Sequence, residues 1–543
     1  MLNFLALTPI LLALILLAVF KVPAKITLPV SFLLTVVLAF VFWEMKPLEL
    51  LTFSIVGGLR AIDILIIVFG ALLLFNVLAQ SGGLDAISKS FNNISKDRRI
   101  QAIIIGFGLT SLLEALAGFG TPAAIAAPLL VALGFSPVAA ISLSLIGNIP
   151  ATAFGAVGTP TLTMMSIVGD ATDLSGLPLV IAILNGAAAL VAPLLAVTVL
   201  VFVFGPRGRS FKGKCGSVLA CVPFALFTGV AFAVPFVISA YVLGPEMPSI
   251  IASAVTLVAI TVAAKTGFLV PKKAWDFRKK EDWPESWNAK ERVVEKKEGK
   301  KSVSFVKAWL PYIIITATLV LTRIPQFGVA QLLKDVVFSL TSIFGVAGAN
   351  YDFRPLWIPG TVFILVAVVT YFMHKMKGRA FGAALGKTSK QTFGAALTIC
   401  FGLALTQIMM NTNLNTSGLP SMTTMIAEMF AKLPAAVYFI VSPILGIIGA
   451  FVSGSNTVSN ILFTKAQFET AGLLGLSTTL ILAMQCVGGS LGNMICVHNV
   501  VAAATAAEAK DGAESKVIKL NIPPMLIMTV VVLLVAFVAF GLN

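Results

Sequence analysis

The chain has 543 residues, 58% of them apolar and only 11% charged, whereas an ordinary soluble domain is about 25% charged. A chain this apolar has too few polar side chains to cover itself in water, which excludes a soluble enzyme, a coiled coil, a disordered chain and a nucleic-acid binder. The net charge of +15 gathers in short stretches, Lys96–Arg99, Arg207–Lys214 and, from Lys272 to Lys307, twelve Lys/Arg against seven Asp/Glu, as expected of loops retained on the cytoplasmic side of a membrane.

Apolar stretches near the length of about 20 residues that crosses a bilayer run over 2–20, 25–43, 61–80, 100–117, 136–157, 178–204, 217–242, 248–270, 306–322, 356–373, 392–410, 433–452, 473–497 and 521–541. The first lacks a basic leader region, and Phe20-Lys21-Val22-Pro23 offers no small-residue cleavage site, so it reads as a membrane helix. Segments 83–95, 325–346 and 415–431 are amphipathic or interrupted and fit the membrane interface. The charged stretch 271–305 reads as a solvated loop dividing the chain. The five cysteines form no CxxC pair, and with only two histidines, His374 and His498, no metal centre or cofactor is expected.

The two halves echo each other. Ser81-Gly82-Gly83-Leu84 and Gly120-Thr121-Pro122 match Ser417-Gly418-Leu419 and Gly454-Ser455-Asn456, with 37 residues from Gly83 to Gly120 and 36 from Gly418 to Gly454. Leu133-Gly134-Phe135-Ser136 then matches Leu474-Gly475-Leu476-Ser477, and Gly147 falls opposite Gly488. The charge pattern places Lys21 and Lys25 inside if the N-terminus is outside, so that 61–80 runs inward while 392–410 runs outward. The copies are then antiparallel, the inverted repeat of many secondary transporters. Simple crossings do not close the parity between 118 and 206, where an extra crossing or a broken helix is required.

The expected fold is an all-α polytopic membrane protein of roughly 12–14 membrane segments, with two inverted repeats, each carrying a re-entrant hairpin and a broken helix. Scaffold helices are expected in 1–60, a first repeat in 61–175, further scaffold in 176–270, the loop in 271–305, scaffold in 306–391, a second repeat in 392–510 and a terminal helix in 511–543.

Each copy breaks its apolar pattern with small and polar residues, at Ala117–Pro122 and at Ser453–Asn460. Non-helical backbone survives at membrane depth only under protein or beside a water-filled cavity. A break there frees helix-end N–H groups that favour an anion without a buried Lys or Arg. Gly118, Gly120 and Thr121 in the first break, and Ser455, Asn456 and Thr457 in the second, are therefore candidate binding residues. A second pair of breaks adds Asn148 and Thr152, followed by Gly155, Gly158, Thr159 and Pro160, and in the other copy Gln485 and Asn493. Four half-helices meeting near the midplane would enclose a small polar pocket; the competing reading is a set of kinks packed on small residues.

Ionisable residues within apolar spans are rare. Glu114 lies one turn before the first break, where desolvation penalises a charged carboxylate and favours proton uptake; His498 is a second candidate for proton coupling. Asp63 with Arg60, and Lys465 with Glu469, read as structural pairs. No GxxxxGK[ST], HExxH or GxSxG motif occurs, so the chain reads as a gradient-driven transporter and not as an enzyme.

The segment Glu114–Pro128, Ile146-Gly147-Asn148, Trp309-Leu310-Pro311-Tyr312, Gly454–Asn460 and Gln485–Met494 resemble the L-lactate permease family, over nearly the whole chain. The resemblance implies uptake or exchange of L-lactate, and often D-lactate and glycolate, by proton symport across the bacterial cytoplasmic membrane. It also implies an elevator mechanism shared with ion transporters whose hairpins carry Ser-Asn-Thr motifs. Only Ser455-Asn456-Thr457 carries that motif here, leaving the first hairpin without a matching sodium site. Alternatives are a sodium-coupled carboxylate transporter, a passive anion channel, or, from another class, a membrane enzyme acting on lipid-linked substrates. The expected partners are the bilayer, a small hydroxy-monocarboxylate and a second copy in a homodimer.

Overall fold

The computed structural model describes residues 2–541, apart from 21, 85, 87–93, 119–120, 170–171, 207, 209, 279–280, 282, 288–302 and 324–327. A backbone crossing lipid must satisfy its own hydrogen bonds, which a helix does within one segment. Among the described residues ten helices are long and apolar enough to cross a bilayer, and a further pair is bent by 51°.

The helices α1 (Leu2–Ala18), α2 (Ala24–Val41) and α3 (Pro47–Ser81) lead into the first repeat: α4 (Arg98–Leu116), α5 (Thr121–Ala132), α6 (Pro137–Thr152) and α7 (Gly155–Val168). Next come α8 (Leu177–Phe204), short α9 (Phe211–Leu219), α10 (Val222–Leu243) and α11 (Pro248–Thr266), then α12 (Phe305–Arg323) and α13 (Val329–Lys334). An antiparallel ribbon, β1 (Phe338–Leu340) with β2 (Tyr351–Phe353), precedes α14 (Pro359–Met373), α15 (Gly378–Asn411) and α16 (Met422–Phe430). The second repeat is α17 (Ala435–Ser453), α18 (Asn456–Leu474), α19 (Thr478–Gly492) and α20 (Val497–Ala506), and α21 (Ala513–Phe540) follows. Both α3 and α15, at 35 and 34 residues, are longer than the apolar cores 61–80 and 392–410 visible in the sequence. Each is about 50 Å long, more than a hydrocarbon layer of about 30 Å requires. Most of segment 83–95 lies outside the described residues.

The duplication is present in the backbone. Gly118 and Gly454 end the first hairpin arms with φ of +54° and +78°, and Gly134 and Gly475 turn the hairpin bases with φ of +95° and +66°. Ser136 and Ser477 then cap α6 and α19 alike, each hydroxyl accepting an N–H three residues on at 3.3 Å. A Cβ on Gly147 would run into the Gly106 carbonyl of α4, and one on Gly488 into the Pro443 carbonyl of α17. From these matched carbonyls to the tip glycines there are twelve residues in α4 and eleven in α17. A π-helical stretch at Ala102–Leu109, whose wider turn holds one more residue, overlaps the start of the longer interval.

Interloop contacts separate two faces. On one, Arg98 donates to the Leu133 carbonyl at 2.5 Å and Arg99 to those of Ser217 and Lys273 at 2.5 and 3.0 Å, while Lys510 pairs with Glu285 at 3.0 Å. This basic face holds the base of the α4–α5 hairpin. On the other, Trp43 Nε1 donates to the Pro420 carbonyl, Tyr351 Oη to Asp63, and Thr423 Oγ1 to Glu469, at 2.9, 2.9 and 3.0 Å. That face holds the base of the α17–α18 hairpin, so the two hairpins enter from opposite sides. The parity problem between 118 and 206 is resolved by α4–α5 returning to its own side and α6–α7 crossing as one bent helix.

Packing gives two bodies. In one, α3 lies along α15 and α14, and α2 lies on α15. In the other, the two hairpins and broken helices are wrapped by α8, α10, α11 and α21, with a core including Phe107, Phe154, Leu184, Phe232, Leu482 and Met528 that continues into α3 and α14 through Ile67, Leu74 and Phe363. Segment 176–270 therefore packs with the repeats and not with the scaffold it was expected to join: α11 lies so close to α4 that a Cβ on Gly108 would meet Ile260 and Leu257 at 2.9 Å.

Candidate functional site

Four chain breaks come together at the centre. One small cavity is lined by Glu114 and Gly118 from the first hairpin, by Thr152, Gly155, Ala156, Thr159 and Pro160 from the first broken helix, and by Gly454, Ser455, Asn456, Thr457 and Asn493 from the second repeat. It encloses about 20 Å³, room for roughly one water molecule. A bound small acid requires the tips to part.

Local chemistry explains each break. Pro160 cannot donate to a continuing helix, and Ala156, Val157 and Gly158 take left-handed dihedrals with φ of 42°, 60° and 78°. Two non-glycine residues in that region, one β-branched, are strained backbone of the kind found at functional sites. On the other side Ser455 ends the turn after Gly454, and its hydroxyl accepts the Val458 N–H at 3.4 Å. The Asn456 and Thr457 N–H groups in the first turn of α18 have no intrahelical acceptor. With the helix restart near Thr159, they aim positive ends of backbone dipoles at the cavity. Among the described residues no Lys or Arg lines it, and Glu114 is its one ionisable residue.

Glu114 is 4% exposed. The Asn148 side chain hydrogen-bonds its carboxyl, and its Oε2 is buried without a partner. The Asn148 side-chain amide donates in turn to Thr152 Oγ1 at 3.4 Å, and that hydroxyl donates to the Asn148 backbone carbonyl at 3.0 Å. Gly155 faces the same carboxyl so closely that a Cβ there would lie 2.5 Å from Oε1. Asn456 donates to the Cys486 carbonyl at 3.0 Å and to Ser490 Oγ at 3.1 Å, pinning the second tip onto α19. Asn493 accepts from Asn499 across the second break.

Of the residues singled out from the sequence, Glu114, Gly118, Thr152, Ser455, Asn456, Thr457 and Asn493 line the cavity, and Asn148 touches it through Glu114. Gly120 lies outside the described residues, as does the side chain of Thr121. Gln485 is not at the cavity: its amide receives a bond from Gln467 at 2.7 Å and donates to Ser459 Oγ at 3.0 Å, in a buried network that also holds Tyr438. His498 is an exposed residue in the first turn of α20, beside Gly454 and outside the cavity lining. Gly155, Ala156, Thr159, Pro160 and Gly454 are lining residues absent from the sequence-derived binding set, although the breaks containing Gly155, Thr159, Pro160 and Gly454 were visible. Ala156 carried no signal, because its contribution is its backbone conformation.

Two larger spaces flank the cavity. One, of about 280 Å³ towards the non-basic face, is lined by Arg60, Asp63, Glu246 and Tyr351, and there Arg60 donates to the Ser166 carbonyl at 2.5 Å. The other, of about 320 Å³, lies between the second tip and α15 and shares Ser455 and Thr457 with the cavity.

A family model described as L-lactate permease matches residues 3–542. The L-lactate permease of Salmonella typhi is 30% identical over 486 residues, covering 86% of this chain and 82% of that protein. The glycolate permease GlcA of Escherichia coli is 29% identical over 573 residues, covering 99% and 96%. Among solved structures, the YdaH transporter of Alcanivorax borkumensis, described as having an unusual topology, matches with a TM-score of 0.51 at 14% identity, over 96% of this chain and 99% of that one. At that identity the likeness concerns the fold.

Proposed function

Because the chain belongs to the L-lactate permease family, we propose that it carries L-lactate, and with it D-lactate and glycolate, across the bacterial cytoplasmic membrane together with a proton. The observation that carries the proton assignment is the cavity itself: it is formed by all four breaks, and Glu114 is its one ionisable group. The substrate carboxylate is assigned to the N-terminus of α18, where backbone N–H groups and the hydroxyls of Ser455 and Thr457 offer donors. Its hydroxyl is assigned to Thr152 and Asn493 across the cavity. Asn148 acts as a positioning residue that orients Glu114. A monoanion bound with a proton on Glu114 makes a neutral load, which lowers the cost of passing a dry layer.

Movement is assigned to the body of hairpins and broken helices, sliding as an elevator along α3 and α15. The test is purified protein in liposomes, with uptake of labelled L-lactate driven separately by a pH gradient and by a sodium gradient. Uphill uptake with the pH gradient alone is expected; uptake requiring sodium would replace this reading with a sodium-coupled carboxylate carrier.

A further inference from the structure

The central cavity is too small for an alkyl chain, but the space of about 320 Å³ beside it is not. Its end at the hairpin tip carries the hydroxyl residues Ser453, Ser455 and Thr457, and its remaining wall is mostly apolar, with Leu72, Ala395, Ile399 and Val458. Ser455 and Thr457 belong to both spaces, so a carboxylate held at the start of α18 can direct its chain away from Glu114 into the apolar space. Gly394 forms part of that wall, and a Cβ there would meet nothing within 4 Å. The volume is in the range of small-ligand pockets, from about 300 Å³ upward.

We propose that this chamber receives the alkyl chain of 2-hydroxy acids longer than lactate, so that the substrate class extends to four- to six-carbon 2-hydroxymonocarboxylates. The proposal rests on the assignment of lactate's carboxylate to the second hairpin tip. An apolar wall does not reject added methylenes; it gains from burying them. On this assignment lactate and glycolate, with a methyl or nothing beyond the hydroxyl-bearing carbon, leave the chamber largely unfilled, whereas a branched six-carbon acid extends into it. Gly394→Leu projects into the chamber from α15, at a position where the added Cβ has open space around it.

The experiment is counterflow in liposomes containing the full chain and preloaded with L-lactate, using labelled L-lactate outside and glycolate, 2-hydroxybutyrate and 2-hydroxy-4-methylpentanoate as competitors. The wild type is expected to exchange all of them, with the six-carbon acid at least as effective as lactate. Gly394→Leu is expected to weaken the six-carbon acid about tenfold or more, the scale set by one misfitting methylene, while leaving lactate exchange within about twofold. Ala395→Val, a smaller intrusion, should give the same order of discrimination with a smaller effect. Lactate exchange without exchange of the six-carbon acid would overturn this proposal alone, as would equal effects of Gly394→Leu and Ala395→Val on every acid. Failure of the wild type to exchange lactate would overturn the lactate assignment, and this proposal with it.

Discussion

At the position of Glu114, a buried carboxyl with one amide partner and one oxygen left alone is costly unless its environment changes during function, since an unmade bond in the interior loses the full desolvation energy. In the transport cycle proposed above, the missing partner is the coupled proton. Glu114→Gln keeps the shape and the hydrogen bond but cannot change charge. The variant is expected to lose pH-driven accumulation of lactate while retaining lactate–lactate exchange in preloaded liposomes; undiminished uphill uptake would remove Glu114 from the coupling role. Gly155→Ala tests the same carboxyl from outside. Its methyl would sit 2.5 Å from Oε1, so the carboxyl must move, and transport should fall by at least tenfold while the protein still purifies as a folded species. The identity of Glu114 as a candidate was legible because an acid in an apolar span is rare. Its dependence on Gly155 was not, since that contact joins positions 41 apart in sequence and exists only once α6 and α7 bend.

Helix by helix, the duplicated glycines matter more than the duplicated polar residues. Gly147 and Gly488 allow each broken helix to rest directly on the carbonyls of its own hairpin arm, the close approach that small residues permit between membrane helices. Adding a methyl at either place forces backbone apart, and overpacking of this kind costs roughly 1–3 kcal/mol. Gly147→Ala and Gly488→Ala should therefore both lower the unfolding temperature in detergent, by similar amounts. Gly472→Ala, on an open face of α18 with nothing within 4 Å, should leave it unchanged or raise it slightly, because alanine is the better helix former by about 0.5–1 kcal/mol. The ordered glycine matches made the repeat visible in the sequence. The full length of α15 was hidden because its first turns, Gly378–Gln391, hold three basic residues and little apolar signal, whereas the breaks ahead of α7 and α20 were visible as small and polar residues interrupting apolar runs. Gln485 illustrates the opposite failure: a polar side chain in a break suggested a ligand, whereas its partners, Gln467 and Ser459, come from the adjacent arm of the hairpin.

Across the whole molecule, the division into bodies makes the elevator reading testable. Contacts onto the body of hairpins and broken helices come from α16 on α18, where Thr423 bonds Glu469, from α3 on α7, where Arg60 bonds the Ser166 carbonyl, from α15 on α18 and from α1 on α17. Where α15 meets α18, the ideal Cβ of Gly402 lies 3.0 Å from a methyl of Ile461, with Leu403 and Ile399 in the same apolar cluster. This interface is buried, α18 adding Val458, Leu462 and Phe463 to an apolar cluster with Leu28, Phe53, Leu405 and Ile408, and apart from the bond from Thr406 to the Ile461 carbonyl at 3.3 Å the α15–α18 contact is apolar and can slip without leaving many polar groups unpaired. The buried ties within the body of hairpins and broken helices are of another kind: Asn460 binds the Pro160 carbonyl at 3.1 Å, and Asn456 binds α19, so in the proposed elevator the two repeats are expected to travel together. A disulfide joining Gly402→Cys and Ile461→Cys, made in a chain whose five native cysteines are replaced, would fasten α15 to α18 at a separation short enough for the bond to form. If the repeats slide as one unit past α15, oxidation should stop lactate counterflow and reduction should restore it. Each single-cysteine variant should be indifferent to the oxidant. Transport that continues through a fully formed cross-link would mean that α15 and α18 keep their register throughout the cycle, and the motion would then have to be confined to the hairpin tips.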